Sequence, residues 1–345
     1  MAQTLAIKYR PKTFEDVTEQ GSIKIILQQQ LITNTHKNCY LFCGGAGTGK
    51  TTCARIFANE INKGEGNPIE LDAASHNGVD DVRQIIEQAQ NKSLNSEYKV
   101  FIVDECHSIS NAGWQAFLKL IEEPPVKSIF IFCTTDPQKI PKTILSRVQR
   151  YDFQRISHAG IVNRLWWILE SEGYNDGSDV VDREPVEYIA KIADGGMRDA
   201  ISLLDKCLAY STDLTMDNVL QALGIEPYSV YITLTNALIE HDKNTIIKTV
   251  EEVHSSGKDL KQFIRQYLDF VLNACKFFIC EDWSLINLPE TVEIKDFLTS
   301  YRDSKDVSVF FDIMDVMLKI DNQIKFNANP KMYIEAKLLT WEVDE

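Results

Sequence analysis

The sequence of 345 residues predicts an α/β fold with a doubly wound, parallel sheet of five strands, followed by an all-helical region. Three observations support this prediction. A glycine-rich motif lies between an apolar run and a helical segment near the start of the chain. Four further short apolar runs alternate with helical segments up to residue 154. Beyond residue 154 the strand signals stop, and apolar residues recur with helical spacing to the end.

The glycine-rich motif fits the phosphate-binding pattern G-x-x-x-x-G-K-[ST] at every fixed position. Its residues are Gly44, Gly45, Ala46, Gly47, Thr48, Gly49, Lys50, Thr51 and Thr52. The apolar residues 39–43 before it indicate a buried strand, and residues 52–61 after it indicate a helix. In this context backbone N–H groups hold a polyphosphate, Lys50 reaches the β- and γ-phosphates, and the Thr51 hydroxyl binds Mg²⁺. The alternative, a glycine-rich turn with a chance lysine, does not explain the agreement of both flanks.

The other elements of the α/β region follow in order. Residues 6–17 are expected to form a short segment kinked by Pro11. The four remaining strands are predicted at 68–72, 99–103, 128–133 and 148–153. The helices are predicted at 22–33, 80–90, 112–121, 157–172 and 184–193, with another from 197. Because strands and helices alternate, the strands should pair in parallel, with the nucleotide at their carboxyl ends.

Two carboxylates, Asp104 and Glu105, directly follow the third predicted strand. This position places them at the carboxyl edge of the sheet, near the phosphate-binding loop. Asp104 is predicted to hold Mg²⁺, directly or through water, and Glu105 to polarise the attacking water. Acidic residues after an apolar strand are common in α/β folds. The assignment of these two residues to a nucleotide site therefore depends on the phosphate-binding loop upstream.

Composition limits the kinds of partner. The chain carries 36 Lys and Arg residues against 50 Asp and Glu residues, a formal net charge of −14. This charge opposes non-specific attraction to nucleic acid, so any DNA contact must use a local basic surface. No apolar run approaches the length of a membrane helix, and the polar start lacks the signal-peptide pattern. We therefore expect a cytoplasmic protein with no membrane partner.

The eight cysteines indicate neither a zinc site nor a disulfide framework, because none forms a C-x-x-C pair. Cys39 and Cys43 are four residues apart on the first predicted strand, so both should face the same side of the sheet. Small, buried, apolar side chains are the simplest interpretation of this spacing.

Taken together, the motifs resemble the gamma/tau clamp-loader subunits of bacterial DNA polymerase III, which are AAA+ ATPases. The matching segments occur in family order across roughly residues 5 to 205: they are 9–11, 44–52, 70–75, 104–107, 118–125, 134–141, 146–148 and 196–200. The resemblance implies an AAA+ ATPase domain over residues 1–154, a helical lid over 155–224 and an all-α collar for oligomerisation over 225–345. It also implies ATP and Mg²⁺ as cofactors, with Thr51 and Asp104 as the metal-binding residues.

The resemblance assigns further roles around the nucleotide. Thr135 is similar to sensor 1, which orients the γ-phosphate or the attacking water; the alternative is a strand-end threonine bonded to backbone. Arg147 is similar to the arginine finger, which reaches the ATP of a neighbouring subunit; the alternative is a surface arginine in an ion pair. Arg198 is similar to sensor 2, and the alternative is an ordinary helix-start arginine. The residues similar to the family's adenine and ribose surround are Tyr9, Arg10, Pro11 and Val17.

DNA contact is expected to differ from that of relatives. The loop at Ser75, His76 and Asn77 lacks the basic residues that relatives carry there, whereas Lys119 matches the family's lysine on a helix that lines the DNA chamber. Backbone N–H groups near Ser75 and Ser108, at predicted helix starts, are further candidates for binding DNA phosphates.

Two other positions depart from the family pattern. Residues 62–67 stand where relatives insert a four-cysteine zinc module, so no zinc site is expected. Val148 replaces the cysteine of the family's Ser-Arg-Cys motif, which changes packing but not the arginine. The chain resembles the short, motor-only form of the family, of bacterial or viral origin.

The function implied is that of a motor subunit that uses ATP binding and hydrolysis to open a ring-shaped sliding clamp and load it onto primer–template DNA. The implied partners are other clamp-loader subunits in a homo- or hetero-oligomeric ring, expected to be a pentamer, together with the sliding clamp and primer–template DNA. One alternative is a subunit that binds nucleotide without hydrolysing it and acts as a scaffold. A second is a DExH-type helicase, suggested by residues 104–107; it would need a second α/β domain, which the residues after 154 do not offer.

Overall fold

The computed structural model describes residues 3–91, 93, 95–174, 183–304, 307–327 and 329–341. The described strands are β1 (Cys39–Cys43), β2 (Ile69–Asp72), β3 (Lys99–Asp104), β4 (Ser128–Thr134) and β5 (Gln149–Asp152). They form one sheet in the order β2-β3-β4-β1-β5, and every pair of neighbours is parallel. The predicted fold class, a parallel five-stranded sheet followed by helices, is confirmed.

Sixteen α-helices are described: α1 (Leu5–Lys8), α2 (Gly21–Ile32), α3 (Lys50–Ile61), α4 (Val79–Gln90), α5 (Asn111–Glu122), α6 (Lys142–Leu145), α7 (His158–Ser171), α8 (Arg183–Ile192), α9 (Met197–Tyr210), α10 (Met216–Leu223), α11 (Tyr228–Ile239), α12 (Lys243–Ser255), α13 (Leu260–Cys280), α14 (Val292–Ser304), α15 (Ser308–Ile324) and α16 (Pro330–Leu339). Short 3₁₀ turns lie at Cys106–Ser108, Pro137–Lys139 and Trp283–Leu285. None of the described helices is long and apolar enough to span a membrane.

Both faces of the sheet are buried by packed helices, as a doubly wound fold requires. On one face Tyr40 and Phe42 pack with α2, α3 and the segment around Phe14. On the other face Cys39, Leu41 and Cys43 pack with α4 and α5. The alternation along β1 therefore divides its side chains between two apolar cores, and the prediction that Cys39 and Cys43 share a face is confirmed.

Most boundaries lie within one residue or so of those predicted, and two larger differences have local reasons. Helix α3 begins at Lys50 rather than at residue 52, because Gly49 adopts a left-handed conformation with φ of 100° that turns the chain directly into the helix. Residues 5–8, expected as part of a kinked segment, form the one-turn helix α1, in which Lys8 N donates to Thr4 O at 2.9 Å. Leu5 is buried there, and burial stabilises a turn that local sequence does not predict.

By contact density the chain divides into two compact units. The first comprises residues within 1–172 and 193–205, and it contains the whole sheet. The second comprises residues within 173–192 and 206–345; its described part is helical and centres on α13, whose Tyr267 hydroxyl is buried and bonded to Thr235 Oγ1 at 3.0 Å. The domain boundaries predicted from sequence at 154/155 and 224/225 remain predictions.

Candidate functional site

The order of the strands brings three polar chain segments to one edge of the sheet. The phosphate-binding loop follows β1, Asp104 ends β3, and Thr134 ends β4. Since β4 lies between β1 and β3, the end of β4 stands between the loop and the acidic pair. Carboxyl ends of parallel strands are the usual place for a ligand in such a fold, and the polar groups predicted from sequence meet there.

The conformation of the loop depends on glycine at two positions. Gly44 has φ of 150°, and a Cβ there would lie 2.5 Å from Phe153 O. Gly47 has φ of 68°, and a Cβ there would lie 3.0 Å from Gly196 Cα. Any side chain at either position would collide with neighbouring backbone, so the loop can pack closely only with glycine. Within it, Thr48 Oγ1 donates to Gly45 O at 2.9 Å.

Lys50 lies under this loop with its side chain almost wholly buried, at 6% exposure. Its Nζ donates to the carbonyl oxygens of Gly44 at 2.9 Å and Gly45 at 2.6 Å. Burial lowers the pKa of Lys50, and the nearby groups of Cys133, Glu105 and Asp104 oppose that shift. Within the described residues this buried ammonium is hydrogen-bonded to neutral carbonyl groups, so a polyanion would supply charged partners in their place.

A short hydrogen-bonded chain links the loop to the acidic pair. Thr51 Oγ1 donates to Asp104 Oδ2 at 2.8 Å, and the backbone N–H of Glu105 donates to Asp104 Oδ1 at 3.0 Å. Hydroxyl and carboxylate oxygens are ligands that suit Mg²⁺, which keeps several waters and binds nucleotide phosphates. In the described part of the chain no group of three or more His, Cys, Asp and Glu residues could hold a metal ion. The Thr51 hydroxyl and the Asp104 carboxylate, bonded to each other, are the oxygen ligands that Mg²⁺ bound to a nucleotide would need here.

Glu105 is held in an uncommon backbone conformation, with φ of 46° in the left-handed region. Such a conformation costs free energy in a non-glycine residue and is found preferentially at functional sites. The carboxylate accepts a hydrogen bond from Thr135 Oγ1 at 3.0 Å and lies 3.2 Å from His107 Nδ1. Thr135 is therefore bonded to a site carboxylate, and not to backbone as its alternative would require.

A cleft of about 280 Å³ lies beside these groups, and every residue that lines it belongs to the first compact unit. The predicted site residues that line the cleft are Tyr9, Arg10, Pro11, Val17, Ala46, Gly47, Thr48, Gly49, Lys50, Thr51, Thr52, Asp104, Glu105 and Arg198. Gly44 and Gly45 lie behind it and contact Lys50, and Thr135 reaches it only through Glu105. The cleft is thus lined both by residues of the predicted phosphate-binding loop and by residues 9–11 and 17.

Arg198 enters the site through a contact between backbones. Met197 N donates to Gly47 O at 3.1 Å, which sets the first turn of α9 against the phosphate-binding loop. Arg198 is exposed, and within the described part of the chain its guanidinium makes no hydrogen bond or ion pair. A free cation at the cleft suits the predicted contact with the γ-phosphate, and the assignment as sensor 2 remains a prediction.

Sequence reasoning missed Arg164, which lines the cleft near Tyr9. Its Nη2 donates to Tyr9 O at 3.0 Å, and its guanidinium lies 4.1 Å from the ring centroid of Trp167. Burial lowers its pKa, and Asp16 opposes that shift. The sequence of α7 does not indicate that Arg164 lines the cleft, because its hydrogen-bond partner, Tyr9, is far away in sequence.

Gln20 was missed as well, although it supports the loop from behind. It is buried, and its Nε2 donates to Gln154 O at 2.7 Å and to Thr48 O at 3.4 Å. Its Oε1 accepts from Gln154 N at 3.2 Å. One side chain therefore ties the start of α2 to the loop and to the segment after β5.

Arg147 is not part of the cleft of its own chain. Its Nε and Nη2 both donate to Glu122 Oε1 at 2.8 Å, and its Nη1 donates to Thr143 O at 2.8 Å. The side chain is 38% exposed, so it is accessible to another molecule. An ion pair of this kind was the alternative interpretation; action on a neighbouring subunit would require Arg147 to leave Glu122, and the role remains a prediction.

The residues proposed for DNA contact lie apart from the cleft. Ser75, His76 and Asn77 are exposed in the loop after β2, Ser108 is half-buried in a 3₁₀ turn, and Lys119 is exposed on α5. None of these five lines the cleft. Their role stays a prediction. Residues 62–67, where no zinc module was expected, lie in the short connection between α3 and β2.

Comparison with known proteins finds two family models of DNA polymerase III subunits that match adjacent parts of this chain. A family model described as DNA polymerase III, delta subunit, matches residues 67–157. A second, described as the DNA polymerase III clamp loader subunit, ATPase lid domain, matches residues 160–213. Together they cover the second to fifth strands, both acidic residues, Thr135, Arg147 and Arg198.

Individual relatives agree with this assignment. The DNA polymerase III subunit tau of Bacillus subtilis is 34% identical over 361 aligned positions, which cover 98% of this chain and 62% of that protein. The gamma/tau subunit of Mycobacterium bovis is 35% identical over 76% of this chain and 49% of that protein. The gamma subunit of Buchnera aphidicola subsp. Schizaphis graminum is 28% identical over 98% of this chain and 97% of that protein. The chain thus spans about half to two thirds of the length of the first two relatives.

Solved structures support the fold alone. The structure of the Thermotoga maritima RuvB Holliday junction branch migration motor has a TM-score of 0.51 and 19% identity, covering 68% of this chain and 80% of that chain. A single-residue variant of the same RuvB protein has a TM-score of 0.52 at the same identity and coverage. With the five-stranded parallel sheet, the matched lid and relatives along almost the whole chain, this protein belongs to the gamma/tau family of bacterial DNA polymerase III clamp-loader subunits, with an AAA+ fold.

Proposed function

We propose that this chain is an ATP-hydrolysing motor subunit of a sliding-clamp loader, in which ATP binding and hydrolysis open a ring clamp and load it onto primer–template DNA. The observation that carries the proposal is that Lys50, Thr51, Asp104 and Glu105, the residues that ATP hydrolysis would need, all line one cleft. Hydrogen bonds link Thr51 to Asp104 and Asp104 to Glu105. A subunit that serves only as a scaffold has no need for an intact set, so this observation favours the motor over the non-hydrolysing alternative.

ATP binding would use two sets of the residues that line the cleft. Lys50 would exchange its bonds to Gly44 O and Gly45 O for phosphate oxygens, which remove the cost of its burial. Thr51 and Asp104 would hold Mg²⁺, which neutralises charge on the β- and γ-phosphates. The backbone and side chains around Tyr9 would surround the base and ribose.

Hydrolysis would depend on Glu105 and on groups that sense the γ-phosphate. Glu105 is 39% exposed and lines the cleft, so it can accept a hydrogen bond from an attacking water. Arg198 would contact the γ-phosphate within the same subunit. Arg147 lies outside its own cleft, and we propose that it completes the site of a neighbouring subunit, where a guanidinium offsets transition-state charge.

We infer a ring of clamp-loader subunits, homo- or hetero-oligomeric and expected to be pentameric, as the setting for this chemistry. The sliding clamp and primer–template DNA are the proposed further partners, with DNA contacted through Lys119 and the loop at residues 75–77. A net charge of −14 requires the basic groups to be concentrated on the DNA-facing side. We also infer a cytoplasmic location, since the relatives are subunits of bacterial DNA polymerase III.

The helicase alternative has less support. Helicases of the DExH class need a second nucleotide-binding-like α/β domain. In the described residues after β5, 153–174, 183–304, 307–327 and 329–341, there is no further β-strand. Residues 104–107 alone do not favour a helicase.

The proposal is tested by steady-state ATP hydrolysis with the chain assembled with its ring partners, with and without primed DNA and a sliding clamp. The variants are Arg147→Ala and, as a matched control, Arg150→Ala, a nearby exposed arginine paired with Asp152. We expect stimulated turnover in the intact protein and in Arg150→Ala. Arg147→Ala should bind ATP normally but hydrolyse it at least 10³-fold more slowly, on the order of an arginine-finger effect.

Three other outcomes contradict parts of the proposal. ATP binding without turnover in the assembled ring would support the scaffold. Normal turnover by Arg147→Ala would remove the assignment of Arg147. Strand separation driven by ATP in the absence of a clamp would favour the helicase.

A further inference from the structure

His107 belongs to the D-E-C-H motif but has no role in the function proposed so far. It lies in the 3₁₀ turn that follows Glu105, and its side chain is 19% exposed. Its Nδ1 is 3.2 Å from Glu105 Oε2 and 3.2 Å from Thr134 Oγ1. The ring therefore stands between the end of β4 and the carboxylate that faces the cleft.

The local backbone explains why two residues so close in sequence face each other. Glu105 is left-handed, and Ser108 N donates to Glu105 O at 2.9 Å, which closes the turn. Cys106, between them, is fully buried in the core against the sheet. With Cys106 anchored inward and the turn closed, the side chain of His107 lies beside that of Glu105, which lines the cleft.

The groups that approach Glu105 Oε2 are a hydroxyl and an imidazole nitrogen. An ionised carboxylate can only accept, so its contact of 3.2 Å with His107 is favourable when Nδ1 carries a hydrogen. Thr135 Oγ1 donates to the same oxygen, Oε2, at 3.0 Å. His107 Nδ1 is also hydrogen-bonded with Thr134 Oγ1 at 3.2 Å, and that hydroxyl accepts from Asp136 N at 3.0 Å, which holds it in place beside the ring.

Glu105 Oε2 thus accepts one hydrogen bond, from Thr135, and contacts His107 Nδ1, whereas Oε1 has no hydrogen bond to the described part of the chain. A carboxylate confined at one oxygen by two neighbouring groups loses rotational freedom, and its other oxygen keeps its lone pairs for water. Precise placement of a base relative to the attacking water can change a rate by up to about 10²-fold. The contact with His107 would therefore contribute to the orientation of the Glu105 carboxylate.

We propose that His107 is a positioning residue for ATP hydrolysis, which together with Thr135 holds the Glu105 carboxylate by Oε2 and leaves Oε1 to accept a hydrogen bond from the attacking water. This inference rests on the proposed function, in which Glu105 polarises that water. His107 does not itself touch the nucleotide in this arrangement; its effect passes through Glu105.

The test compares His107→Ala and His107→Asn in the full chain, assembled with its ring partners and supplied with primed DNA and a sliding clamp. His107→Ala should lower kcat by about 10- to 100-fold while the Kd for ATP stays within about twofold. The asparagine amide can place an N–H donor near the position of Nδ1, so His107→Asn should recover most of kcat. His254→Ala, an exposed histidine on α12, serves as the matched control and should hydrolyse ATP at the rate of the intact protein.

The variant Glu105→Gln separates the positioning role of His107 from the proposed function, ATP hydrolysis with Glu105 polarising the attacking water. If Glu105→Gln is inactive, adding His107→Ala should cause no further loss, because His107 acts through that carboxylate. If Glu105→Gln is inactive and His107→Ala has full activity, the role of His107 is wrong but the proposed function stands. If Glu105→Gln hydrolyses ATP normally, or the intact ring has no activity, both hypotheses are wrong.

Two further outcomes would overturn the inference about His107. Faster hydrolysis by His107→Ala would mean that the histidine holds Glu105 in an unproductive orientation. An equal loss in the alanine and asparagine variants, together with a lower melting temperature, would indicate that His107 only supports the local structure.

Discussion

Replacement of Thr51 by valine tests the proposed metal site with a change of very small volume. The side-chain hydroxyl becomes a methyl group, so Asp104 Oδ2 loses the hydrogen bond that it accepts at 2.8 Å. Asp104 is only half-buried, so water can replace part of that bond. We expect the free protein to lose about 1 to 2 kcal/mol of stability.

The substitution should also weaken nucleotide binding, and that effect should depend on Mg²⁺. A ligand present at 100 times its Kd stabilises a protein by roughly 2.7 kcal/mol. If removal of one Mg²⁺-binding oxygen weakens binding tenfold, the same ligand concentration stabilises Thr51→Val by only about 1.4 kcal/mol. Thr51→Ser keeps the hydroxyl and should behave as the intact protein does.

The measurement is equilibrium binding of ATP to the three proteins, with Mg²⁺ and again with a chelator, alongside thermal unfolding under the same conditions. Because the chain has two compact units, the transition to follow is the one that Mg²⁺ and ATP shift. We expect the three proteins to bind ATP similarly without Mg²⁺ and to differ when it is present. Equal Mg²⁺-dependent affinity in Thr51→Val and Thr51→Ser would refute the assignment of Thr51 as a metal-binding residue.

Three further predictions follow from the packing around the cleft and the core. Gly47→Ala should destabilise the free protein by about 1 to 2 kcal/mol in chemical denaturation, because it forces a left-handed alanine against Gly196; unchanged stability would show that the loop relaxes freely. Arg164→Ala should weaken ATP binding about tenfold, roughly 1.4 kcal/mol, because it releases Tyr9 O, and isothermal titration would detect the loss. Burial raises the pKa of Cys39 to about 12, whereas Cys280 is exposed. Iodoacetamide at about pH 8 should therefore alkylate Cys280 at least about 100-fold faster than Cys39, as followed by mass spectrometry. Comparable rates for the two cysteines would contradict the burial of Cys39 in the sheet.

Short-range patterns in the sequence were sufficient to predict the core of the site. The phosphate-binding loop, its strand and its helix are contiguous, so the glycines, Lys50 and Thr51 could be assigned from one stretch. Asp104 and Glu105 were equally accessible, because a run of apolar residues ends directly before them. The alternation of strands and helices then predicted a parallel sheet, and the structure confirms it.

Features that depend on distant residues could not be obtained this way. The bond between Thr135 and Glu105 exists because β4 lies beside β3, and the strand order is a property of the whole sheet. The contact of Arg164 with Tyr9 joins residues separated by 155 positions, and no local pattern marks either one as the partner of the other.

The sequence by itself therefore determined the class of fold, and it predicted the candidate phosphate-binding loop and the two carboxylates, since each of these is encoded by neighbouring residues whose spacing matches a strand, a turn or a helix. Only the tertiary structure decided that His107 and Thr135 share one oxygen of Glu105, and that Arg147 is paired with Glu122. Those contacts arise when separate elements pack around common cores, and the free energy that selects them is distributed over the whole sheet.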